Sequence, residues 1–179
     1  MKVALTGRPG IGKTTAVKRT VSLLGEKAKG FWTEEIRVNG RRWGFKVVRT
    51  DGEEELLASV KADSPYRVGR YGVLVDRFEA FAVPFLIEAI DEGKVVVVDE
   101  VGKMELLSKA FQQAVSRLVE EEVTALVTIP IKDVHPLVSR IRKRFKVIHL
   151  TLTNRDRVPF EVIKLLEGRD GEERREQEL

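Results

Sequence analysis

The sequence predicts an α/β fold in which helices flank a mainly parallel β-sheet. The β-branched run Val95–Val98 has the composition of a strand buried on both faces of such a sheet. From this run to residue 167, strand and helix patterns alternate, which implies parallel strands joined by right-handed crossovers. Earlier in the chain, Asn39 and Gly40 form the preferred two-residue hairpin turn between two alternating apolar runs. We therefore expect an antiparallel hairpin insertion over residues 30–60.

The first seventy residues predict one strand–helix unit followed by short strands. Apolar residues 3–5 predict the first strand, and the periodicity of the following segment predicts a helix over residues 14–24 that ends at Gly25. Alternating runs then predict three strands, at residues 31–38, 43–49 and 55–59. The next segment is rich in glycine, arginine and tyrosine, and it indicates a loop over residues 61–71.

The rest of the chain predicts regular alternation. Asp76 and Glu79 have the spacing of a capping box, which predicts a helix that continues to Gly93 and places its phenylalanines in the core. After Val95–Val98, the patterns predict further helices and strands. The helices are expected at residues 109–121, 136–143 and 159–167, and the strands at residues 124–129 and 146–150.

Length and composition bound the type of protein. The 179 residues predict a single domain over residues 1–167, followed by a charged tail, frayed or solvated, over residues 168–179. The chain has no cysteine and two histidines, so any metal is expected to be Mg²⁺ held by oxygen. No apolar run approaches the length of a membrane span, so we expect a soluble, cytoplasmic protein without membrane contact. The charged share of 34% resembles that of hyperthermophile proteins.

The charge balance allows nucleic acid as a partner but does not favour it. The formal net charge is +4 and the pI is about 9.4, yet basic and acidic residues alternate along most of the chain. The densest basic cluster comprises Arg140, Arg142, Lys143, Arg144 and Lys146. This cluster is either a solvated helix face or a contact for phosphate or another polyanion.

Residues 7–14 carry the strongest functional signal. They match the pattern G-x-x-x-x-G-K-S/T, and they follow a predicted strand and precede a predicted helix. Such a loop turns successive backbone N–H groups toward phosphate oxygens, and the helix dipole adds positive potential. The pattern predicts a nucleoside triphosphate site in which Lys13, a predicted catalytic residue, reaches the β- and γ-phosphates and Thr14 holds Mg²⁺. The predicted phosphate-binding residues are Gly7, Arg8, Pro9, Gly10, Ile11, Gly12, Lys13, Thr14 and Thr15.

Two consecutive acids follow the buried strand Val95–Val98. An aspartate at the end of an apolar strand is the Walker B arrangement, so Asp99 is predicted to bind Mg²⁺ together with Thr14. Glu100 is predicted to be catalytic, because a second carboxylate at this place can orient an attacking water. The alternative for Glu100 is an acid at the surface near the strand end. With Glu100 in the catalytic role, hydrolysis is favoured over transfer to a second substrate.

Three segments resemble the THEP1 family of nucleoside-triphosphatases. Residues 95–105 are similar to its D-E-I/V-G-x-M-E signature, residues 30–37 to its G-F-x-T-x-E-I/V-R segment, and residues 66–75 to its R-x-G-x-Y-x-V region. The resemblance implies a P-loop domain, RecA-like or kinase-like, that hydrolyses nucleoside triphosphates to diphosphate and phosphate. It also implies Mg²⁺ dependence, broad base tolerance, and a nucleotide-binding role for residues 95–102, including Asp99, Glu100 and Gly102.

Other residues are weaker candidates. The segment Thr-Asn-Arg-Asp at residues 153–156 follows the last predicted strand, where it either contacts the base or forms only a turn. It lacks the N-K-x-D pattern that recognises guanine, so we expect loose base selectivity. Trp32 and Thr33 either approach the nucleotide or pack in the core. The candidates for an arginine that stabilises the transition state are Arg37, Arg67, Arg70, Arg140 and Arg142.

Two other functions are compatible with a P-loop. A nucleotide or small-molecule kinase would use the arginines near residues 140–144 as a lid, and it would release phosphate only when an acceptor is present. A RecA-type ATPase would be stimulated by DNA or RNA in a salt-dependent manner. The sequence leaves the oligomeric state open.

Overall fold

A nine-stranded sheet organises the chain. The structure is a computed structural model that describes the backbone of residues 1–177 and the side chains of residues 1–168. The strands are β1 (Lys2–Thr6), β2 (Ala28–Val38), β3 (Arg41–Arg49), β4 (Glu54–Ser59), β5 (Arg67–Val68), β6 (Tyr71–Val73), β7 (Val95–Val98), β8 (Ala125–Thr128) and β9 (Lys146–His149). The helices are α1 (Lys13–Leu24), α2 (Val75–Asp91), α3 (Lys109–Glu120), α4 (Pro136–Arg144) and α5 (Val158–Gln177), with short 3-10 turns at Gly25–Lys27 and Glu105–Leu107.

The predicted α/β class is confirmed. The strand order is β5-β6-β4-β3-β2-β7-β8-β1-β9, and neighbouring strands from β2 to β9 in this order are parallel. The remaining strands continue the same sheet in antiparallel pairs. Since β8 lies between β1 and β7, the carboxyl ends of these three strands meet at one edge of the sheet. The phosphate-binding loop and the Asp99–Glu100 pair therefore face each other there.

Two hydrophobic cores cover the two faces of the sheet. Helices α2, α3 and α4 pack on one face, where Phe31, Phe78 and Phe111 stack edge to face or tilted at centroid distances of 5.3–6.2 Å. Helices α1 and α5 pack on the other face through Val17 and Val162 among others. The prediction that the α2 aromatics are core residues is thus confirmed for Phe78, which is 1% exposed. Phe81 and Phe85 are half-buried, and the guanidinium of Arg49 lies over both rings.

The hairpin is present, but its first strand is longer than predicted. Asn39 and Gly40 both have positive φ, as the hairpin turn requires, and β2 and β3 pair on either side of them. However, residues 28–31 of β2 pair in parallel with β7, so β2 belongs to the parallel sheet before it enters the hairpin. The antiparallel strands therefore extend the main sheet instead of forming a separate insertion.

Two local predictions were wrong. Residues 61–71, expected as a loop, contain β5 and the first residue of β6, which pair across a tight turn at Gly69 with φ of 57°. Pairs this short leave no alternation to detect. The capping box was also wrong, because α2 begins at Val75 and the residue before it, Leu74, makes no side-chain cap. Glu79 instead accepts a hydrogen bond from Ser108 Oγ at 2.7 Å.

The remaining predicted elements up to β9 are present, with bounds shifted by up to three residues. Helix α5 runs to Gln177 across a kink at Gly168, where φ is 49°. The side chains of residues 169–179 lie outside the described part of the structure, and with them the prediction of a solvated tail. Among the described residues, none of the helices combines the length and the apolar character of a membrane span.

Candidate active site

The phosphate-binding loop is the turn between β1 and α1. Gly10 and Gly12 have φ of 82° and 111°, values that favour glycine over all other residues. The first hydrogen bond of the helix runs from Ala16 N–H to Gly12 C=O at 2.9 Å. The N–H groups of residues 13–15 lie before this bond, so they have no partner within the helix and can donate to a ligand. Residues 8–10 lie exposed at the rim, and Ile11 is buried below them. The loop thus has the open amides that a phosphate group requires.

Lys13 lies folded over this loop. Its ammonium donates to Gly7 C=O at 3.1 Å and lies 3.4 Å from Glu100 Oε2. The lysine side chain is 13% exposed, and that of Glu100 is 29% exposed. The structure therefore brings together the two residues that the sequence predicted to be catalytic.

Asp99 is the buried acid of the site, at 2% exposure. Thr14 Oγ1 donates to its Oδ2 at 2.7 Å, and Thr128 Oγ1 donates to its Oδ1 at 2.6 Å. Burial raises the pKa of Asp99 to about 6, because the two hydroxyl hydrogen bonds offset only part of the desolvation cost. Thr14 and Asp99 together offer adjacent hard oxygen atoms, which fit the ligand preference of Mg²⁺.

We expect Asp99→Asn to stabilise the metal-free protein above pH 6. A carboxyl whose pKa rises from 3.8 to about 6 on folding binds its proton more tightly in the folded state, so folding stability falls as pH rises between these values. The shift corresponds to about 3 kcal/mol, which the neutral amide would largely avoid. Urea unfolding with EDTA at pH 8 should show the variant as the more stable protein, and at pH 4 the difference should vanish.

Asp63→Asn is the matched control for this measurement, because Asp63 is exposed. Its stability should equal that of the wild type at both pH values. A wild type that is as stable as Asp99→Asn at pH 8 would show that Asp99 carries no burial penalty.

Next to Glu100 and the predicted residue Gly102 lies an acid, Glu105, that was missed as a site residue. A Cβ atom added to Gly102 would lie 2.6 Å from Glu100 Oε1 and 3.1 Å from Glu105 Oε2, so Gly102 leaves the space in which both carboxyls lie. Glu105 is 5% exposed, and burial together with the charge of Glu100 raises its pKa well above the usual range. Thr128 was missed as well. The sequence feature that could have indicated Thr128 is its position as a polar residue near the end of the apolar run 124–129. For Glu105, that feature is its position inside the segment 95–105 that resembles the family signature.

Of the pair Trp32 and Thr33, the structure places only Thr33 at the acids. Thr33 Oγ1 donates to Asp99 C=O at 3.0 Å. Trp32 packs against the α1 side of the sheet, and its Nε1 donates to Glu34 Oε1 at 2.9 Å. Thr33 thus helps to hold Asp99 in place, and Trp32 is a packing residue.

In the segment 153–156, one residue stabilises the turn and another contacts the phosphate-binding loop. Asn154 holds its own turn, because its Oδ1 accepts from Thr151 N–H at 2.7 Å and its Nδ2 donates to His149 C=O at 2.9 Å. Arg155 instead reaches the phosphate-binding loop, where its Nη1 donates to Ile11 C=O at 3.2 Å. The sequence did not single out Arg155, because its contact joins residues that are far apart in the chain.

The five predicted arginine candidates are held elsewhere. Arg37 and Arg67 donate to carbonyls in their own hairpins, at Gly40 and Arg70. The other three bind residues of the β3, α3 and β8–α4 regions: Arg70 binds Arg42 C=O, Arg140 binds Glu120, and Arg142 binds Asp133 and Pro130 C=O. Within the described residues, none of the five makes a hydrogen bond to the phosphate-binding loop or to Asp99. The contacts of Arg140 and Arg142 with acids support the solvated-face interpretation of the basic cluster.

Comparison with known proteins gives a consistent result. Residues 2–163 match a protein family described as NTPase. The chain is 44% identical over 177 residues to the nucleoside-triphosphatase THEP1 of Aquifex aeolicus, covering 93% of this chain and 99% of that protein. The crystal structure of THEP1 from this hyperthermophile superposes with a TM-score of 0.88 at the same identity and coverage. The solution structure of a human cancer-related nucleoside triphosphatase superposes with a TM-score of 0.78 at 38% identity, covering 93% of this chain and 97% of that one.

Proposed function

Since this chain belongs to the NTPase family that includes the THEP1 nucleoside-triphosphatases, it is an enzyme that hydrolyses nucleoside triphosphates, and we propose that it does so with Mg²⁺ and with little selectivity for the base. The observation that carries the proposal is the contact of Lys13 with Glu100 at 3.4 Å, beside the Thr14–Asp99 hydrogen bond of 2.7 Å. The residues that we propose to bind phosphate, to hold Mg²⁺ and to orient water thus lie close together.

The loop and Lys13 bind the triphosphate in this proposal. Backbone N–H groups of the loop and of the first turn of α1 donate to the phosphate oxygens, and Lys13 moves from Gly7 C=O to the β- and γ-phosphates. Because the ammonium is already held over the loop, little side-chain entropy is lost when it changes partner.

Thr14 and Asp99 are the residues that would hold Mg²⁺. When bound there, the ion would neutralise charge on the β- and γ-phosphate oxygens. Thr128 donates to the Asp99 carboxylate and Thr33 to the Asp99 backbone carbonyl, so both parts of the acid are oriented by hydrogen bonds. The pKa of Asp99 is raised because the buried carboxylate lacks a neutralising charge. A bound cation would supply that charge and stabilise the ionised carboxylate in place of the proton.

Glu100 orients the attacking water in this proposal. Its carboxylate lies at the phosphate-binding lysine, where the γ-phosphate would sit, and it is partly open to solvent. It can therefore accept a hydrogen bond from a water and take a proton as the water attacks phosphorus. Gly102 leaves the space for this carboxylate, and burial raises the pKa of the neighbouring Glu105 carboxyl.

The test is phosphate release from ATP, GTP, CTP and UTP, each with Mg²⁺ and with EDTA. We expect release from all four without any added acceptor, with rates that differ by less than about tenfold, and loss of release in EDTA. Release in EDTA at the Mg²⁺ rate would contradict the metal proposal, and release from one nucleotide alone would contradict base tolerance.

The same assay addresses the two alternative functions. A kinase would release phosphate only after an acceptor is added, and a RecA-type ATPase would be strongly stimulated by DNA or RNA. The names of the relatives and the paired state of the basic residues Arg140 and Arg142 favour neither. A cytoplasmic location stays a prediction.

A further inference from the structure

A groove of about 480 Å³ lies on the outer face of α1. Its first wall is a single helix face with the spacing i, i+3, i+4, i+7 and i+8. This wall consists of Thr15, Lys18, Arg19, Ser22 and Leu23. The opposite wall is formed by Pro159 and Phe160 at the start of α5. The volume lies within the range of about 300–1,000 Å³ that is common for small-molecule sites.

The groove begins at the phosphate-binding loop. Thr15 is the last of the predicted phosphate-binding residues and the first residue of the groove wall. At about 100° per residue, its side chain lies about 200° around α1 from that of Lys13, and so points away from Glu100. Since Lys13 and Glu100 mark the γ-phosphate end of the site, the nucleoside end leaves the loop toward Thr15.

The segment before α5 connects the loop to the groove. Arg155 donates to Ile11 C=O at 3.2 Å, and its Cδ lies 3.8 Å from the place of a Cβ at Gly12. The next residue, Asp156, lies 3.9 Å from Arg19 in the groove wall. One short stretch of chain therefore lines the path from the phosphates into the groove.

The groove exposes apolar side chains to solvent on both of its walls. Phe160 is 60% exposed and Leu23 is 54% exposed, on opposite walls. An exposed aromatic ring can stack on the face of any nucleobase. The hydroxyls of Thr15 and Ser22 both donate and accept, so they do not discriminate between base edges. Lys18 is already paired with Glu34 at 3.0 Å. The groove is thus suited to a flat heterocycle of unspecified identity.

We propose that the groove between α1 and the start of α5 holds the nucleoside half of the triphosphate, with the base stacked on Phe160. This rests on the proposed phosphate site at residues 7–14. Stacking in place of edge recognition gives broad base tolerance a structural cause, which the missing N-K-x-D pattern alone does not supply.

The test compares kcat and KM for ATP, GTP and CTP with the inhibition constant of inorganic tripolyphosphate, which has phosphates but no nucleoside. Phe160→Ala should raise the KM for all three nucleotides by about tenfold or more, with a larger effect for the purines, and should leave kcat nearly unchanged. The tripolyphosphate inhibition constant should stay within about twofold of the wild type, because the phosphate loop is intact. Phe160→Trp should restore the wild-type KM, since a larger ring keeps the stacking surface.

Ile87→Ala is the matched control, because Ile87 is an exposed apolar residue of α2 on the other face of the sheet. It should leave every constant unchanged. A Phe160→Ala enzyme with wild-type KM values would overturn the proposal, and so would an equal loss of tripolyphosphate binding, which would place the effect at the loop. A wild type that tripolyphosphate does not inhibit would overturn the phosphate site itself, and with it both proposals.

Discussion

Glu100→Gln is expected to lower kcat by about 10²–10⁴-fold and to leave nucleotide affinity within a few-fold of the wild type. Glutamine has nearly the same size and keeps one hydrogen-bond acceptor, so it can still approach a water. It cannot take the proton that the water gives up, and its neutral amide does not polarise the water. Lys13 keeps its bond to Gly7 C=O in this variant, so the phosphate grip is preserved.

The measurement for Glu100→Gln is phosphate release under saturating nucleotide, together with nucleotide titration of the same protein. Glu53→Gln is a suitable control, since Glu53 is an exposed acid outside the site. A Gln variant that turns over at the wild-type rate would remove Glu100 from the reaction. A variant that loses binding and turnover equally would assign Glu100 to binding.

The sequence predicts those site residues that can be recognised from the residues next to them in the chain. A glycine-rich turn between a strand and a helix places Lys13 and Thr14, and an acid after a buried apolar strand places Asp99, whatever the order of the strands. Glu100 follows because it is adjacent to Asp99. The sequence patterns assign these roles without the strand order, although the contact of Thr14 with Asp99 itself depends on that order.

The missed contacts depend on the strand order and on long-range packing. Thr128 contacts Asp99 because β8 lies on one side of β7. Thr33 contacts Asp99 because β2 lies on the other side of β7. The residue pattern of one strand does not indicate which other strand pairs with it. The capping-box error has the same cause, since Glu79 accepts its hydrogen bond from Ser108, the residue that caps the start of α3. Tertiary contacts override the local pattern at these positions.

Lys13→Ala is expected to lower kcat by about 10²–10³-fold and also to weaken nucleotide binding, which separates it from Glu100→Gln. Lys13 is a preorganised charge, held between Gly7 C=O and Glu100 Oε2 in a largely buried position. Charge interactions are stronger where water is excluded, so loss of this ammonium removes binding energy from the ground state and from the transition state. It also leaves the carboxylate of Glu100 facing the phosphates without a neutralising partner.

Folding stability should hardly change in Lys13→Ala, because the Glu100 carboxylate is 29% exposed and water can solvate it when the ammonium is lost, so the pair contributes about 0–1 kcal/mol. Unchanged thermal unfolding with lost activity would therefore assign Lys13 to the reaction and not to the fold. Lys61→Ala, at an exposed lysine, is the control for removal of a positive charge. Lys13→Arg should not restore activity, because the larger planar guanidinium does not replace a compact ammonium over a tight loop. Wild-type phosphate release by Lys13→Ala would mean that the triphosphate is bound somewhere other than this loop.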